Sequence, residues 1–123
     1  LITSDTIVWF EGMAIGKPKD NEDAFRMLKR MSGKKHCVYT SISIKSMSFK
    51  KVFNDKTIVE FEEFTDEEIN YYLDNFNPYD KAGSYGIQDL IGHIGVCKIE
   101  GCYNNVLGFP TSLFCDTIEK MNL

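Results

Sequence analysis

The chain has 123 residues, of which 43% are apolar and 26% are charged, with a formal net charge of −4. These values exclude disordered and fibrous classes and predict one globular domain over residues 1–123, and the acidic balance argues against a nucleic-acid partner. No apolar run approaches the roughly 20 residues that a membrane helix needs, and the basic start of a signal peptide is missing, so we expect a cytosolic protein that binds no membrane.

Residues 1–10 form the first predicted element, a strand with no cap or turn before it. A strand needs a neighbour on at least one edge to satisfy its backbone groups. We therefore expect further sequence upstream of Leu1, so that residues 1–123 are a domain incomplete at its N-terminal side.

Asp5 lies between Ser4 and Thr6 within this strand. A carboxylate there is costly to bury unless it is paired, hydrogen-bonded or facing a pocket. Next to a threonine hydroxyl it suits a divalent cation or an oriented water molecule. A solvent-facing aspartate on an edge strand is the simpler alternative.

Lys17 is flanked by Gly16 and Pro18, which forbid regular structure and predict a fixed loop. The glycine lets the backbone approach a ligand closely, and the ammonium group supplies a point charge for phosphate oxygens. An ordinary surface turn would have the same sequence.

The middle of the chain alternates between helical and strand patterns. A helix is predicted from the cap at Asp20 to Gly33, and a second from the capping box of Thr65 and Glu68 to residues 77–78. Residues 36–47 and 56–64 alternate as two strands, joined through residues 49–55 as a hairpin.

The last third of the chain begins with a loop over residues 79–89. In it, Lys81 suits phosphate, and Gln88 offers both a donor and an acceptor for the edge of a base, although a charged surface loop would look the same. A strand over residues 92–100, a turn with a short extended piece over 101–110, and a helix over 111–121 follow. This order of elements predicts the α/β class.

The other side chains that could take part in catalysis or metal binding are assigned no functional role. His36 and His93 lie beside no nucleophile or orienting group in sequence, which favours structural roles. The four cysteines form no CxxC pair and have no zinc-finger spacing, so we expect buried free thiols. In the last helix we expect Phe114, Ile118 and Met121 to point inward.

Several segments resemble the Maf family in order and spacing. The most specific is residues 80–88 (DKAGSYGIQ), with Gly-Lys-Pro at 16–18 upstream and residues 99–110 (IEGCYNNVLGFP) downstream. The other matching segments are residues 4–8 (SDTIV), 31–33 (MSG) with His36 and Thr40 after it, and 57–61 (TIVEF). The resemblance spans essentially the whole chain.

The resemblance implies a fold and an activity. The fold would be α/β, with an elongated mixed sheet flanked by helices and two lobes around a cleft. The activity would be hydrolysis of a nucleoside triphosphate to the monophosphate and pyrophosphate, which cleanses the nucleotide pool and uses Mg²⁺ or Mn²⁺. Family members often form homodimers.

The resemblance also assigns residues. Asp5 matches the proton acceptor and metal-binding aspartate, and Lys17 and Lys81 match the lysines that neutralise the triphosphate. Thr6 and Gln88 match positions that mark the branch preferring dTTP and UTP over 7-methyl-GTP.

Two departures from the family pattern bear on these expectations. A Ser-x-x-Arg-Arg loop and a later glutamate do not precede Leu1, so we expect the 123-residue chain alone to be poorly active. A non-catalytic nucleotide-binding or scaffolding module of a larger protein is therefore the alternative. Asp89 stands where the family usually has glycine, and we expect its side chain to point outward.

Overall fold

The computed structural model describes residues 1–121, in which alternating apolar residues build one five-stranded sheet of order β2-β1-β3-β4-β5. The strands are β1 (Ile2–Phe10), β2 (Met13–Ile15), β3 (Lys35–Lys45), β4 (Lys50–Phe61) and β5 (Val96–Glu100). The helices are α1 (Asn21–Met31), α2 (Asp66–Asn75), α3 (Leu90–Gly95), α4 (Tyr103–Leu107) and α5 (Thr111–Lys120). Two short 3-10 turns, Pro78–Asp80 and Ala82–Ser84, lie between α2 and α3. The predicted α/β class is confirmed. The sheet was expected to be mixed, but each pairing of neighbouring strands over residues 1–121 is antiparallel.

One face of the sheet is buried under helices. Strand alternation points Val8, Val38 and Val59 to this face, where each is at most 3% exposed. The helix side chains that meet them are also buried, and they are Ala24, Leu28, Met31, Ile69 and Leu73. Burying each of the larger apolar side chains contributes roughly 1.5–3 kcal/mol, which holds α1 and α2 against the sheet.

The two predicted helix caps are confirmed. The Asp20 carboxylate accepts a hydrogen bond from the Asp23 amide at 2.9 Å and starts α1. Thr65 and Glu68 form a reciprocal capping box at the start of α2. Each cap satisfies amide groups that would otherwise lack a partner at a helix N-terminus.

Three predicted element boundaries were wrong. The hairpin is tighter than expected, because Lys45 pairs directly with Lys50 and β4 takes up residues 50–55. Residues 90–95 wind into α3 before β5 begins, with the His93 amide bonded to the Asp89 carbonyl. Residues 103–107 form the short helix α4 instead of an extended piece.

Two predictions about burial were also wrong. Cys97 and Cys115 are exposed, because β5 is an edge strand and α5 lies at the periphery, although the four cysteines are free thiols as expected. The apolar residues of α5 are only half-buried, and Phe114 packs on Phe109 and Phe53 outside the main core. Across residues 1–121, no helix is long and apolar enough to cross a bilayer.

Candidate functional site

The five side chains predicted for a site line one cavity of about 260 Å³. They reach it from three distant parts of the chain, and they are Asp5, Thr6, Lys17, Lys81 and Gln88. The first two extend from β1, the third from the loop after β2, and the last two from the segment between α2 and α3. The fold therefore brings together two ammonium groups, a carboxylate, a hydroxyl and a carboxamide.

Asp5 and Thr6 point in different directions because they are neighbours on a strand. Asp5 is exposed, whereas Thr6 is half-buried with its hydroxyl oxygen 2.9 Å from that of Thr40. Thr40 donates its own proton to the Asn105 carbonyl at 3.0 Å, so Thr6 must be the donor to Thr40. The Thr6 oxygen thus keeps a lone pair for a cation or for a donor group of a ligand.

A buried polar cluster that the sequence did not reveal supports this end of the cavity. Asn105 of α4 is fully buried, and its side-chain amide donates to the Val38 carbonyl at 3.2 Å and to the Thr57 hydroxyl at 2.9 Å. These bonds fix α4 against β3 and β4, and α4 presents Val106 and Leu107 to the cavity. Asn105 belongs to the segment 99–110 that resembles the family, and that membership was the available sign of its importance.

Two loops carry the lysines. We call residues 16–20 the open loop and residues 80–89 the anchored loop. Lys17 on the open loop is exposed and makes no hydrogen bond or ion pair with any residue of the range 1–121. Lys81 on the anchored loop has a side chain only 31% exposed, with its ammonium 3.4 Å from the Asp80 carboxylate. One backbone bond joins the loops, from the Gly83 amide to the Gly16 carbonyl.

The backbone of the anchored loop turns sharply where it enters the core. Gly83 and Ser84 have φ angles of 73° and 65°, in the left-handed region. A Cβ atom on Gly83 would lie 3.2 Å from a methyl group of Val8, so a side chain would be both strained and crowded there. This turn directs Tyr85 into the protein and returns the chain to the cavity at Gly86.

His36 supports the anchored loop from beneath, which agrees with a structural role. Its Nε2 lies 2.6 Å from the Tyr85 hydroxyl, and its ring packs on Tyr85 and Phe61. Burial lowers the pKa of His36 to about 4 and raises the pKa of Tyr85. Both groups are therefore neutral at pH 7, and the loop is held by an uncharged bond.

Asp89 does not point outward as expected. Its carboxylate accepts a hydrogen bond from the Tyr72 hydroxyl at 3.1 Å, on the side facing α2. A buried phenol is a good donor for a half-buried carboxylate, and this bond outweighs full hydration of the carboxylate. The same carboxylate oxygen would lie 2.9 Å from a Cβ atom on Gly86, next to the side chains of Lys81 and Gln88.

A larger cavity of about 560 Å³ lies on the other face of the sheet, with Asp5 at its edge. Its walls are Ile7, Trp9, Tyr39 and neighbouring polar residues, and it contains no lysine or arginine. An anionic ligand needs positive charge to replace its hydration. The smaller cavity with two lysines is therefore the candidate site.

The donor atoms of the smaller cavity suit a hard divalent cation. Asp5 supplies a carboxylate and Thr6 a hydroxyl oxygen with a free lone pair. Mg²⁺ is usually held through one or two carboxylates together with waters and substrate phosphates. Within residues 1–121, no three His, Cys, Asp or Glu side chains cluster as an all-protein metal site, so a cation here would need ligand oxygens from elsewhere.

Comparison with known proteins gives consistent matches. The profile of the Maf-like protein family matches residues 1–121. A dTTP/UTP pyrophosphatase of Christiangramia forsetii is 52% identical over 121 residues, covering 98% of this chain and 62% of that protein. Proteins of the same name from Flavobacterium psychrophilum and Bacteroides thetaiotaomicron are 53% and 43% identical, covering 57% and 63% of their lengths. The chain thus spans about three fifths of the length of the curated relatives it matches.

Proposed function

Because this chain belongs to the Maf-like protein family, we propose that it is the larger part of a hydrolase that cleaves dTTP and UTP to the monophosphate and pyrophosphate. The observation that carries the proposal is the meeting of Asp5, two lysines and Gln88 around one cavity. The names of the relatives support the same reaction.

In this proposal Asp5 is the proton acceptor. It lies on a rigid paired strand, opposite Ser41 of β3, and its exposed carboxylate borders the cavity. A water molecule held by this carboxylate would lose its proton as its oxygen attacks the α-phosphorus, and pyrophosphate would leave. General base catalysis of this kind contributes roughly 10²–10⁴-fold to a rate.

Lys17 and Lys81 would bind the triphosphate, because both lysines line the cavity that Asp5 also lines. Positive charge placed on the phosphates stabilises the charge that moves onto the leaving pyrophosphate. Gln88 is exposed and free of hydrogen bonds within the described residues, so its carboxamide is available to the base. A carboxamide pairs well with the alternating acceptors and donor of thymine and uracil.

We further propose Mg²⁺ or Mn²⁺ as the cofactor, held in this chain by the Asp5 carboxylate that lines the cavity. A divalent cation supplies positive charge that neutralises phosphate oxygens when it is bound. The substrate phosphates would complete its coordination. Asp80 also lines the cavity, but its carboxylate is 3.4 Å from the Lys81 ammonium group.

The test uses the full-length natural protein with dTTP or UTP and Mg²⁺. We expect release of pyrophosphate, and a fall of at least about 100-fold in kcat for Asp5→Asn, since this change removes the base and keeps the side-chain shape. Asp74→Asn is the matched control, because Asp74 is an exposed aspartate of α2 that does not line the cavity. Its activity should equal that of the wild type.

Two outcomes would count against this function. Equal activity of Asp5→Asn and the wild type would remove Asp5 from the mechanism. Tight binding of dTTP without any release of pyrophosphate would instead favour the alternative of a non-catalytic nucleotide-binding module. A homodimer and a cytosolic location stay predictions from sequence, which sedimentation and cell fractionation can check.

A further inference from the structure

Tyr72 of α2 holds two points of the anchored loop with one hydroxyl group. The fully buried phenol accepts a hydrogen bond from the Gly86 amide at 3.3 Å and donates one to the Asp89 carboxylate at 3.1 Å. The Asp89 amide in turn donates to the Gly86 carbonyl at 3.0 Å, which closes a turn between the two residues. Both the donor and the acceptor capacity of the phenol are used.

The direction of these bonds is fixed. A backbone amide can only donate, so Tyr72 must accept from Gly86, and its single proton then goes to Asp89. Burial raises the pKa of Tyr72, so the proton stays on the phenol over the whole physiological range. The clamp is therefore a permanent feature and not a switch.

Gly86 lies directly beneath the two ligand-facing side chains of the loop. A Cβ atom at this position would lie 2.8 Å from Cε of Lys81 and 3.1 Å from Oε1 of Gln88. Both side chains thus rest on the bare α-carbon of Gly86. The position of Gly86 therefore defines the surface on which both side chains pack.

The helix that carries Tyr72 is well fixed. Its capping box secures the first turn, the Tyr72 ring stacks on Phe76 at 5.3 Å, and the helix packs against α1. Because the phenol is fixed, its hydrogen bond holds Gly86 in place. Lys81 and Gln88 pack against Gly86, so their positions depend on this bond as well. Holding reacting groups within a fraction of an ångström is what preorganised sites require.

We propose that Tyr72 is a positioning residue that sets the spacing between the Lys81 ammonium group and the Gln88 carboxamide. The inference rests on the proposed function, in which the first group binds phosphate and the second reads the base. The fixed spacing selects a pyrimidine nucleotide, whose base and phosphates are joined at a set distance, over inorganic polyphosphate. Asp89, which departs from the family's usual glycine, strengthens the clamp in this chain.

The experiment compares Tyr72→Phe with Tyr71→Phe in the full-length natural protein. Tyr72→Phe keeps the ring and removes the hydroxyl, and we expect kcat/KM for dTTP to fall about tenfold, the size of one or two lost hydrogen bonds. Tyr71 directly precedes Tyr72 on the same helix and is 58% exposed. Its variant should match the wild type.

A second background separates positioning from a general loss of stability. In Gln88→Ala protein, the further change Tyr72→Phe should cost only about threefold in kcat/KM, because one of the two groups that it positions is already gone. The loss of Tm from Tyr72→Phe should be the same in both backgrounds. A tenfold loss of kcat/KM in both backgrounds would overturn the proposal.

Two further measurements keep the test decisive. If Tyr72→Phe does not fold, Asp89→Ala takes its place in the same comparison, since it removes the acceptor of the phenol proton. The Kd for dTTP and for inorganic tripolyphosphate is measured alongside turnover. We expect the clamp variants to weaken dTTP about tenfold and tripolyphosphate less than threefold.

The two proposals can fail separately. If the wild-type protein binds dTTP without turnover, the proposed hydrolysis is wrong. The Kd values for dTTP and tripolyphosphate then decide whether Tyr72 has the proposed positioning role. Turnover by the wild type with an equal loss of affinity for dTTP and tripolyphosphate in Tyr72→Phe would end the positioning role alone. A wild type that neither binds nor hydrolyses dTTP would overturn both.

Discussion

The open loop and the anchored loop face the same cavity but are built in opposite ways. Gly16 and Lys17 are exposed, and their link to the rest of the site is one backbone bond to Gly83. The anchored loop is buried from Gly83 to Ile87 and is bonded to side chains of β3 and α2 beneath it.

This difference separates two ways of binding an anion. Fixing a free lysine on a ligand costs up to roughly 2 kcal/mol of side-chain entropy, whereas a half-buried lysine has already lost part of that freedom. The anchored loop thus supplies groups at defined positions. The open loop supplies charge that adapts to whatever is bound.

Acid should weaken the support of the anchored loop, which is the largest effect we expect. The pKa of buried His36 is about 4, below the ordinary value of 6.5 in an unfolded chain. Between these values the unfolded chain binds more protons than the folded one. The free energy of unfolding should therefore fall by up to about 3 kcal/mol as the pH falls from 6.5 to 4. Above pH 6.5, His36 is neutral in both states and this loss of stability should be absent.

Urea unfolding at several pH values measures this loss. His36→Gln should show a flatter pH dependence than the wild type over this window, because it removes the group that must be charged in acid. His93→Gln, at an exposed histidine of α3, is the control and should keep the wild-type slope. Equal slopes for His36→Gln and the wild type would mean that His36 does not support the loop in its neutral form.

Adding one methyl group to each loop tests the same comparison at the backbone. A Cβ atom on Gly86 would lie 2.8 Å from the Lys81 side chain and 2.9 Å from the Asp89 carboxylate. A Cβ atom on Gly16 would meet nothing within 4 Å. We expect Gly86→Ala to lower kcat/KM for dTTP about thirtyfold, which corresponds to roughly 2 kcal/mol, and Gly16→Ala to lower it less than twofold.

These two variants also need a check on folding. Thermal unfolding should show both proteins folded, since neither methyl group enters the apolar core. Similar losses of activity in both variants would remove the distinction between the loops. A large loss in Gly16→Ala alone would reverse it.

Removing the two lysines should give a smaller and unequal pair of effects. Lys81→Ala should lower kcat/KM about tenfold, and Lys17→Ala about threefold, because the exposed charge is more strongly screened and less ordered. Raising the ionic strength to about 0.5 M should erase the effect of Lys17→Ala before that of Lys81→Ala. Equal salt dependence would show that both ammonium groups are equally solvated when nucleotide is bound.

The sequence predicted the elements that follow from local patterns. Apolar alternation identified β3, and the caps at Asp20 and Thr65 gave the starts of α1 and α2. The five predicted site residues line one cavity, and each was selected because it belongs to a short motif that resembles the family. The boundary between α3 and β5 was missed, because Gly92 and Gly95 interrupt the apolar pattern that separates a helix from a strand.

The supports of the site could not be predicted from local patterns. Tyr72 occupies an apolar position on a helix, so its sequence context indicates a core residue and gives no sign of its hydroxyl's partners. Its bond to Gly86 spans 14 residues, and that of His36 to Tyr85 spans 49. Such pairs depend on how the helix and the strand are placed in three dimensions, which periodicity does not encode.

The smallest effect that we expect comes from the strained turn of the anchored loop. Ser84 is fully buried and has a φ angle of 65°, a conformation that costs a residue with a side chain roughly 1–2 kcal/mol. Ser84→Gly relieves this cost and loses roughly 0.5–1 kcal/mol through the greater freedom of the unfolded chain. The net gain in the free energy of unfolding should be about 0.5 kcal/mol.

Ser84→Ala isolates the cause of that gain. It removes the same hydroxyl, which lies 3.1 Å from the sulfur of Met27, but it keeps the strained backbone. Urea unfolding should therefore rank Ser84→Gly as more stable than Ser84→Ala. The kcat/KM of Ser84→Gly should also stay within about twofold of the wild type. That result would show that the bonds from His36 and Tyr72 define the shape of the anchored loop, and that the backbone strain at Ser84 is a consequence of this shape. A less stable Ser84→Gly would show that the turn needs a side chain at this position.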